Sequence, residues 1–232
     1  EKVVNITIAN RLATAHDNIA KAAQISNRNS RDIKLMAVSK TKSIQEIRAA
    51  YELGQKTFGE NYAQELAEKK LALSDLKDLE WHFIGPIQSN KTALIADIAS
   101  WVDSVDRIKI ARRLNAQAAE LNKTLNVLIQ VNISDSSTKS GVKLQDVEQF
   151  AAELQQYAFL TLRGLMAIPD ENQSKQQLIH QFKQMQACYS GLQDQYDSID
   201  TLSLGMSGDV AEAISCGSNL VRLGTAIFGS RQ

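Results

Sequence analysis

Proline is scarce in this 232-residue chain, occurring only as Pro86 and Pro169. No glycine/serine-rich tract or block of like charge breaks the sequence either, so one domain spanning residues 1–232 is expected. Cysteine is just as rare. Cys188 and Cys216 stand alone, outside any CxxC or Cys/His spacing, which argues against a disulfide scaffold or a zinc site and for a reducing compartment. Excess charge is also missing: 26 Lys and Arg balance 26 Asp and Glu, so nothing global attracts nucleic acid or an anionic membrane. No window approaches roughly 18 uninterrupted apolar residues. The opening EKVVNITIANRLATAHDNIAKAAQ is too polar for a signal peptide, and the expected compartment is the cytoplasm.

What the chain does have is alternation. After a segment of helical periodicity at about residues 6–28, short apolar runs alternate with longer amphipathic ones. The short runs are IKLMAVS (33–39), KTF (56–58), WHFI (81–84), SWVDSV (100–105), LNVLIQVN (125–132), LTLRGLMAI (160–168), DTLSLG (200–205) and NLVRLG (219–224). Stretches such as SIQEIRAAYELG and DRIKIARRLNAQAAELN carry apolar residues at three- and four-residue spacing between them. Eight strands, each followed by a helix, predict an α/β (β/α)8 barrel with an extra N-terminal helix. An open doubly wound sheet is the rival, but the GxGxxG that its first turn usually carries is absent after IKLMAVS.

A barrel places its chemistry where strands end and the following loops begin. SKTKS, GENYAQE, GPIQSNK, SDSSTKSG, GMSGD and GTAIFGS all fall at such places. GMSGDVAEAI joins a glycine turn to a helix, with Ser207 and Asp209 at the junction, and RLGTAIFG sets Gly224 and Thr225 beside Arg222. Free backbone N–H groups at helix starts bind anions, and barrels often seat phosphate on the loops after strands 7 and 8. The competing reading is ordinary turns and helix caps.

Lys40 ends the first apolar run, across from that pair of loops. A partly desolvated amine loses its proton more readily and can attack an aldehyde, which makes a Schiff-base lysine one reading of Lys40 and a solvated surface charge the other. Lys42, two residues on, reads as a solvated or phosphate-attracting charge. His16, His82 and His180 are too scattered for a metal trio, and His82 within WHFI reads as a core or pocket-wall residue. The KSG at 139–141 lacks a P-loop frame and reads as a loop. Asp103 and Asp106 are candidates for an acid/base pair, although Asp106 more simply caps the helix beginning RIKIARRL.

Taken together, MAVSKTKS, FGENYAQE, WHFIGPIQSNK, VNISDSSTKSGV, RGLMAIP, LSLGMSGDVAEAI and GSNLVRLGTAIFGSR resemble the pyridoxal phosphate homeostasis protein family, from about residue 33 to 231. The resemblance implies a single barrel of the alanine racemase N-terminal type that binds pyridoxal 5′-phosphate through Lys40. It also implies cofactor contacts for Ser207, Arg222, Gly224 and Thr225, and a pocket role for Asn61. The function it implies is homeostasis of vitamin B6 and amino acids without catalytic turnover. A minimal racemase-like enzyme is the alternative. PLP-dependent apo-enzymes are the implied partners, with neither nucleic acid nor membrane, and a monomer is the expectation. Ser43 stands where the family often has proline, and Ala63 where it often has a larger apolar residue. Because the sequence runs only seven residues beyond Thr225, no second domain is expected to supply an opposing acid/base group for racemisation.

Overall fold

The computed structural model describes residues 2–134 and 136–230. Eight parallel strands form the barrel wall: β1 Lys34–Val38, β2 Thr57–Glu60, β3 Glu80–Phe83, β4 Trp101–Val105, β5 Leu125–Asn132, β6 Leu160–Ala167, β7 Thr201–Ser203 and β8 Leu220–Leu223. Each pairs with the next, and β8 returns to β1 with Met36 opposite Arg222, so the sheet closes. Among the described residues the helices are α1 Lys2–Ile25, α2 Ile44–Glu52, α3 Ala63–Ala72, α4 Thr92–Ile98, α5 Ile108–Glu120, α6 Val147–Leu154, α7 Lys175–Gln195, α8 Val210–Ser215 and α9 Thr225–Phe228. From α2 onward, one helix follows each strand. This is the expected (β/α)8 barrel with its extra N-terminal helix.

The alternation of a strand sorts its side chains between lumen and helix layer. In β1, Leu35 and Ala37 join the large core under the helices, whereas Met36 packs with Ile84, Leu220 and Val38 in a separate cluster. Trp101, Leu128 and Met166 form another. Each helix offers one apolar stripe to the wall; in α5 it is Ile110, Ala111, Leu114 and Ala118, all fully buried. Helix α1 lays Ile8, Leu12, Ala15 and Ile19 against α2, α8 and α9, sealing the junction of first and last strands.

Several boundaries differ from the sequence reading. Helix α1 covers Lys2–Ile25 rather than 6–28, and Asn27 beyond it takes a left-handed φ of 54° that cannot continue a helix. The second strand runs on through Gly59 and Glu60, read as loop, because a lysine of α3 neutralises the buried glutamate. A two-residue strand, Val142–Lys143, pairs with the end of β5 and had no signal of its own. The proposed cap at Asp106 is incorrect: α5 begins at Ile108, and its N-cap residue is Arg107, which makes no side-chain cap bond. Asp106 instead accepts the N–H of Gly141 at 3.1 Å, tying down the loop after β5.

Candidate cofactor site at the barrel mouth

The lumen beneath the mouth is polar along one line. Lys34 meets Glu80 at 2.8 Å, and Glu80 accepts from His82 Nε2 at 2.9 Å. His82 Nδ1 donates to Asp103, also at 2.9 Å. The His82 ring stacks on Trp101, with centroids 4.8 Å apart, and Arg163 lies over the other ring system of that contact, 4.6 Å from the Trp101 centroid. Burial opposes charge on His82, but Asp103 and Glu80 outweigh it and raise its pKa. The same bonds hold Glu80 down at about 2. His82 is therefore a lumen residue, as its apolar neighbours suggested. Asp103 and Asp106 do not form an acid/base pair: one is committed to His82, the other to the Gly141 backbone.

Arg222 projects from β8 into this lumen and is 4% exposed. Its Nη1 donates to the carbonyl of Ser203 at 3.0 Å and to Ser203 Oγ at 2.6 Å, and its Nη2 donates to the carbonyl of Ala167 at 2.9 Å. A guanidinium has five N–H donors, so two remain without an acceptor among the described residues. Burial lowers its pKa to about 10, with Asp103 and Asp209 opposing, and it stays cationic at neutral pH.

The remaining sequence candidates collect on the same rim, at the C-terminal ends of the strands. Lys40 lies just past β1, half-buried, and engages no hydrogen-bond or ion-pair partner among the described residues. Lys42 does: its Nζ donates to the carbonyl of Gly229 at 3.0 Å. Gly224, beside β1, leaves little room for a side chain; a Cβ there would meet the carbonyl oxygen of Val38 at 3.3 Å. Thr225 opens α9 and is exposed, as is Ser207 in the turn ahead of α8. That turn is held by Asp209, whose Oδ1 accepts the Met206 N–H at 2.6 Å. Gly205 before it has a φ of +105°, and a Cβ would sit 2.8 Å from that of Ala213, so only glycine fits. The N–H groups of Ser207, Gly208, Thr225 and Ala226 meet no backbone acceptor among the described residues. Asn61, after β2, has a buried Oδ1 with no partner among the described residues and borders a rim cavity of about 440 Å³ shared with Ser104, Gln130 and Lys139.

These features fit an anionic, aldehyde-bearing cofactor: an unpaired amine, open backbone donors on two adjacent loops, a buried cation and an orphaned amide oxygen. A larger cavity of about 760 Å³ lies between α1 and the loop after β1, with Thr7, Arg11, Lys42, Ser43 and Phe228 in its wall. The KSG stretch is a loop, as read, with Lys139 Nζ donating to the carbonyl of Pro169.

Ser203, the buried Glu60, the half-buried Glu65 and the buried Lys69 escaped the sequence reading. The last two are spaced i,i+4 in AQELAEKK, a pattern that signals an ion pair but not its burial. Ser43, the departure from the common proline, caps α2: its Oγ accepts the Glu46 N–H while Glu46 takes the Ser43 N–H, both at 3.1 Å.

Residues 11–232 match the family described as alanine racemase, N-terminal domain. The pyridoxal phosphate homeostasis protein of Escherichia coli strain K12 is 47% identical over 226 residues, covering 97% of this chain and 97% of that protein. The chain belongs to the pyridoxal phosphate homeostasis protein family. Another family member of that name, from Pasteurella multocida, is also 47% identical, over 97% of this chain and 98% of its own length. PipY of Synechococcus elongatus PCC7942, in a structure described as having PLP bound, matches with a TM-score of 0.83 at 33% identity, covering 96% of this chain and 100% of that one. An alanine racemase from Clostridium difficile, 15% identical and with a TM-score of 0.78, covers 97% of this chain and 57% of that one, and shows the shared fold alone. Among the described residues no helix is long and apolar enough to cross a membrane.

Proposed function

We propose that this protein binds pyridoxal 5′-phosphate at the barrel mouth and serves the intracellular homeostasis of vitamin B6 and amino acids, holding the cofactor covalently on Lys40 without catalytic turnover. The observation that carries the reading is an unpartnered lysine on the same rim as two loops with open backbone donors and a buried arginine. The names of the E. coli relative and of the PLP-bound PipY structure support it.

When bound, pyridoxal phosphate supplies an aldehyde and a phosphate. Lys40 would hold the cofactor through its amine, condensing with that aldehyde with loss of water. Ser207, Gly224 and Thr225, with the open N–H groups of the two loops, take the phosphate. Asn61 closes the opposite side of the pocket with its unpaired Oδ1. Arg222 brings a fixed cation that can donate but not accept; it would hold either the phosphate or the ring nitrogen, and in the second case it would leave that nitrogen unprotonated and the ring a poor electron sink. The second placement would favour holding the cofactor over proton transfer at a substrate carbon. The whole chain acts as one cytoplasmic, monomeric domain that exchanges its cofactor with apo-enzymes.

Titrating the purified protein with pyridoxal phosphate while recording visible absorbance tests binding, and a saturable new band is expected. Incubation with amino acids in deuterated water tests turnover. Protein-dependent exchange at the α-carbon would replace the non-catalytic reading with that of a minimal racemase.

A further inference from the structure

Behind Lys40, between the barrel wall and α3, lies a charge cluster centred on the buried Lys69 and Glu60. Lys69 of α3 is 5% exposed, and its ammonium group makes three bonds: to Glu60 Oε1 at 2.6 Å, to Glu65 Oε2 at 2.8 Å and to the carbonyl of Ser39 at 2.6 Å. An ammonium group has three donors, and all three are used. Glu60, fully buried, also accepts Ser39 Oγ at 3.0 Å. Glu65 Oε2 also accepts the N–H of Thr41 at 2.7 Å.

The residues so held are the two neighbours of Lys40. Ser39 is fixed through both its carbonyl and its hydroxyl, and Thr41 through its N–H. Thr41 has a φ of 64°, a left-handed conformation that a β-branched residue rarely adopts and that persists only when its surroundings enforce it. Backbone bonds add to the restraint, with Ser39 N–H on the carbonyl of Gly59 at 3.0 Å and Lys42 N–H on that of Ser39 at 3.0 Å. A cation with two carboxylates is an expensive way to fill a space between a strand and a helix, where an apolar side chain would pack more cheaply. What the cluster provides that an apolar residue cannot is simultaneous anchorage on both sides of one residue.

We infer that Lys69 is a positioning residue for Lys40: through Ser39 directly and through Glu65 and Thr41, it fixes the backbone from which the Lys40 amine reaches the aldehyde. This rests on the reading of Lys40 as the covalent anchor. Capture of an aldehyde depends on where the amine is held, and a displacement of about 1 Å can cost about a hundredfold in rate.

The test compares wild type, Lys69→Met and Glu65→Ala. The second variant frees the Thr41 N–H and one Lys69 donor but leaves the Glu60–Lys69 pair and the Lys69 bond to Ser39 in place, so it decides the matter if Lys69→Met fails to fold. Each protein is mixed with pyridoxal 5′-phosphate, reduced with borohydride at timed intervals and mapped for the labelled lysine. Pyridoxine 5′-phosphate, which has no aldehyde, reports non-covalent binding alone. Labelling at Lys40 is expected to slow about tenfold or more in both variants, with label shifting toward Lys42, while pyridoxine 5′-phosphate binds as in wild type. Folded variants that label Lys40 at the wild-type rate overturn the positioning role alone. Wild type that carries no label on Lys40 overturns the anchor reading, and this inference with it.

Discussion

Inside the barrel, His82 is 1% exposed and donates to two carboxylates, so Asp103→Asn is a direct test of the lumen's electrostatics. The substitution keeps the shape of the side chain but removes one negative charge from a buried imidazolium. Removing one partner of a buried pair costs about 3–5 kcal/mol. Glu80 remains as the second partner, and its side chain is 31% exposed, so the lower end, about 3 kcal/mol, is expected. Against a total stability of about 5–15 kcal/mol this is a large loss. The sign with pH follows from the raised pKa of His82. Its stabilising contribution is complete below the ordinary histidine value of about 6.5 and is lost as pH rises through the higher value of the folded protein. In the variant that value falls, so the stability gap between the two proteins is widest near about pH 6 and narrows on the alkaline side. Urea unfolding of both proteins across a pH series measures it. Equal midpoints at pH ~6, or a gap that widens with alkalinity, would refute the account of His82 as a buried cation.

Arg222→Gln is expected to weaken pyridoxal phosphate retention about 10- to 100-fold, the equivalent of one charge-assisted hydrogen bond, while the barrel stays folded by circular dichroism. Unchanged affinity removes Arg222 from the site. Gly205→Val forces a β-branched residue to a φ of +105° with its Cβ 2.8 Å from that of Ala213. A loss of about 1–3 kcal/mol is expected in thermal unfolding, and a wild-type midpoint would contradict the assigned turn geometry.

The barrel was legible because its evidence is periodic. Eight apolar runs separated by amphipathic stretches leave few alternatives, and the loops that end those runs share one face by topology alone. The strand ends were less clear: Gly59 and Glu60 look like a turn until Lys69 is seen to neutralise the glutamate. Lys40 was visible as a lysine at a strand end. What distinguishes it from Lys42, a missing partner against a bond to Gly229, is a three-dimensional fact. Ser203 has the same character, since a serine in a short strand says nothing until an arginine from the next strand reaches it. Asp106 misled because an aspartate before a helix usually caps it, whereas here the loop after β5 competes for its carboxylate and wins.

The central claim is that the mouth of this barrel exists to hold an aldehyde on one lysine. Borohydride reduction of the protein with pyridoxal 5′-phosphate, followed by peptide mapping, tests it most directly, with Lys40→Ala and Lys42→Ala alongside. The account predicts label on Lys40 in wild type and in Lys42→Ala, and none in the pocket of Lys40→Ala. Label on Lys42 in wild type, or undiminished labelling in Lys40→Ala, would contradict it.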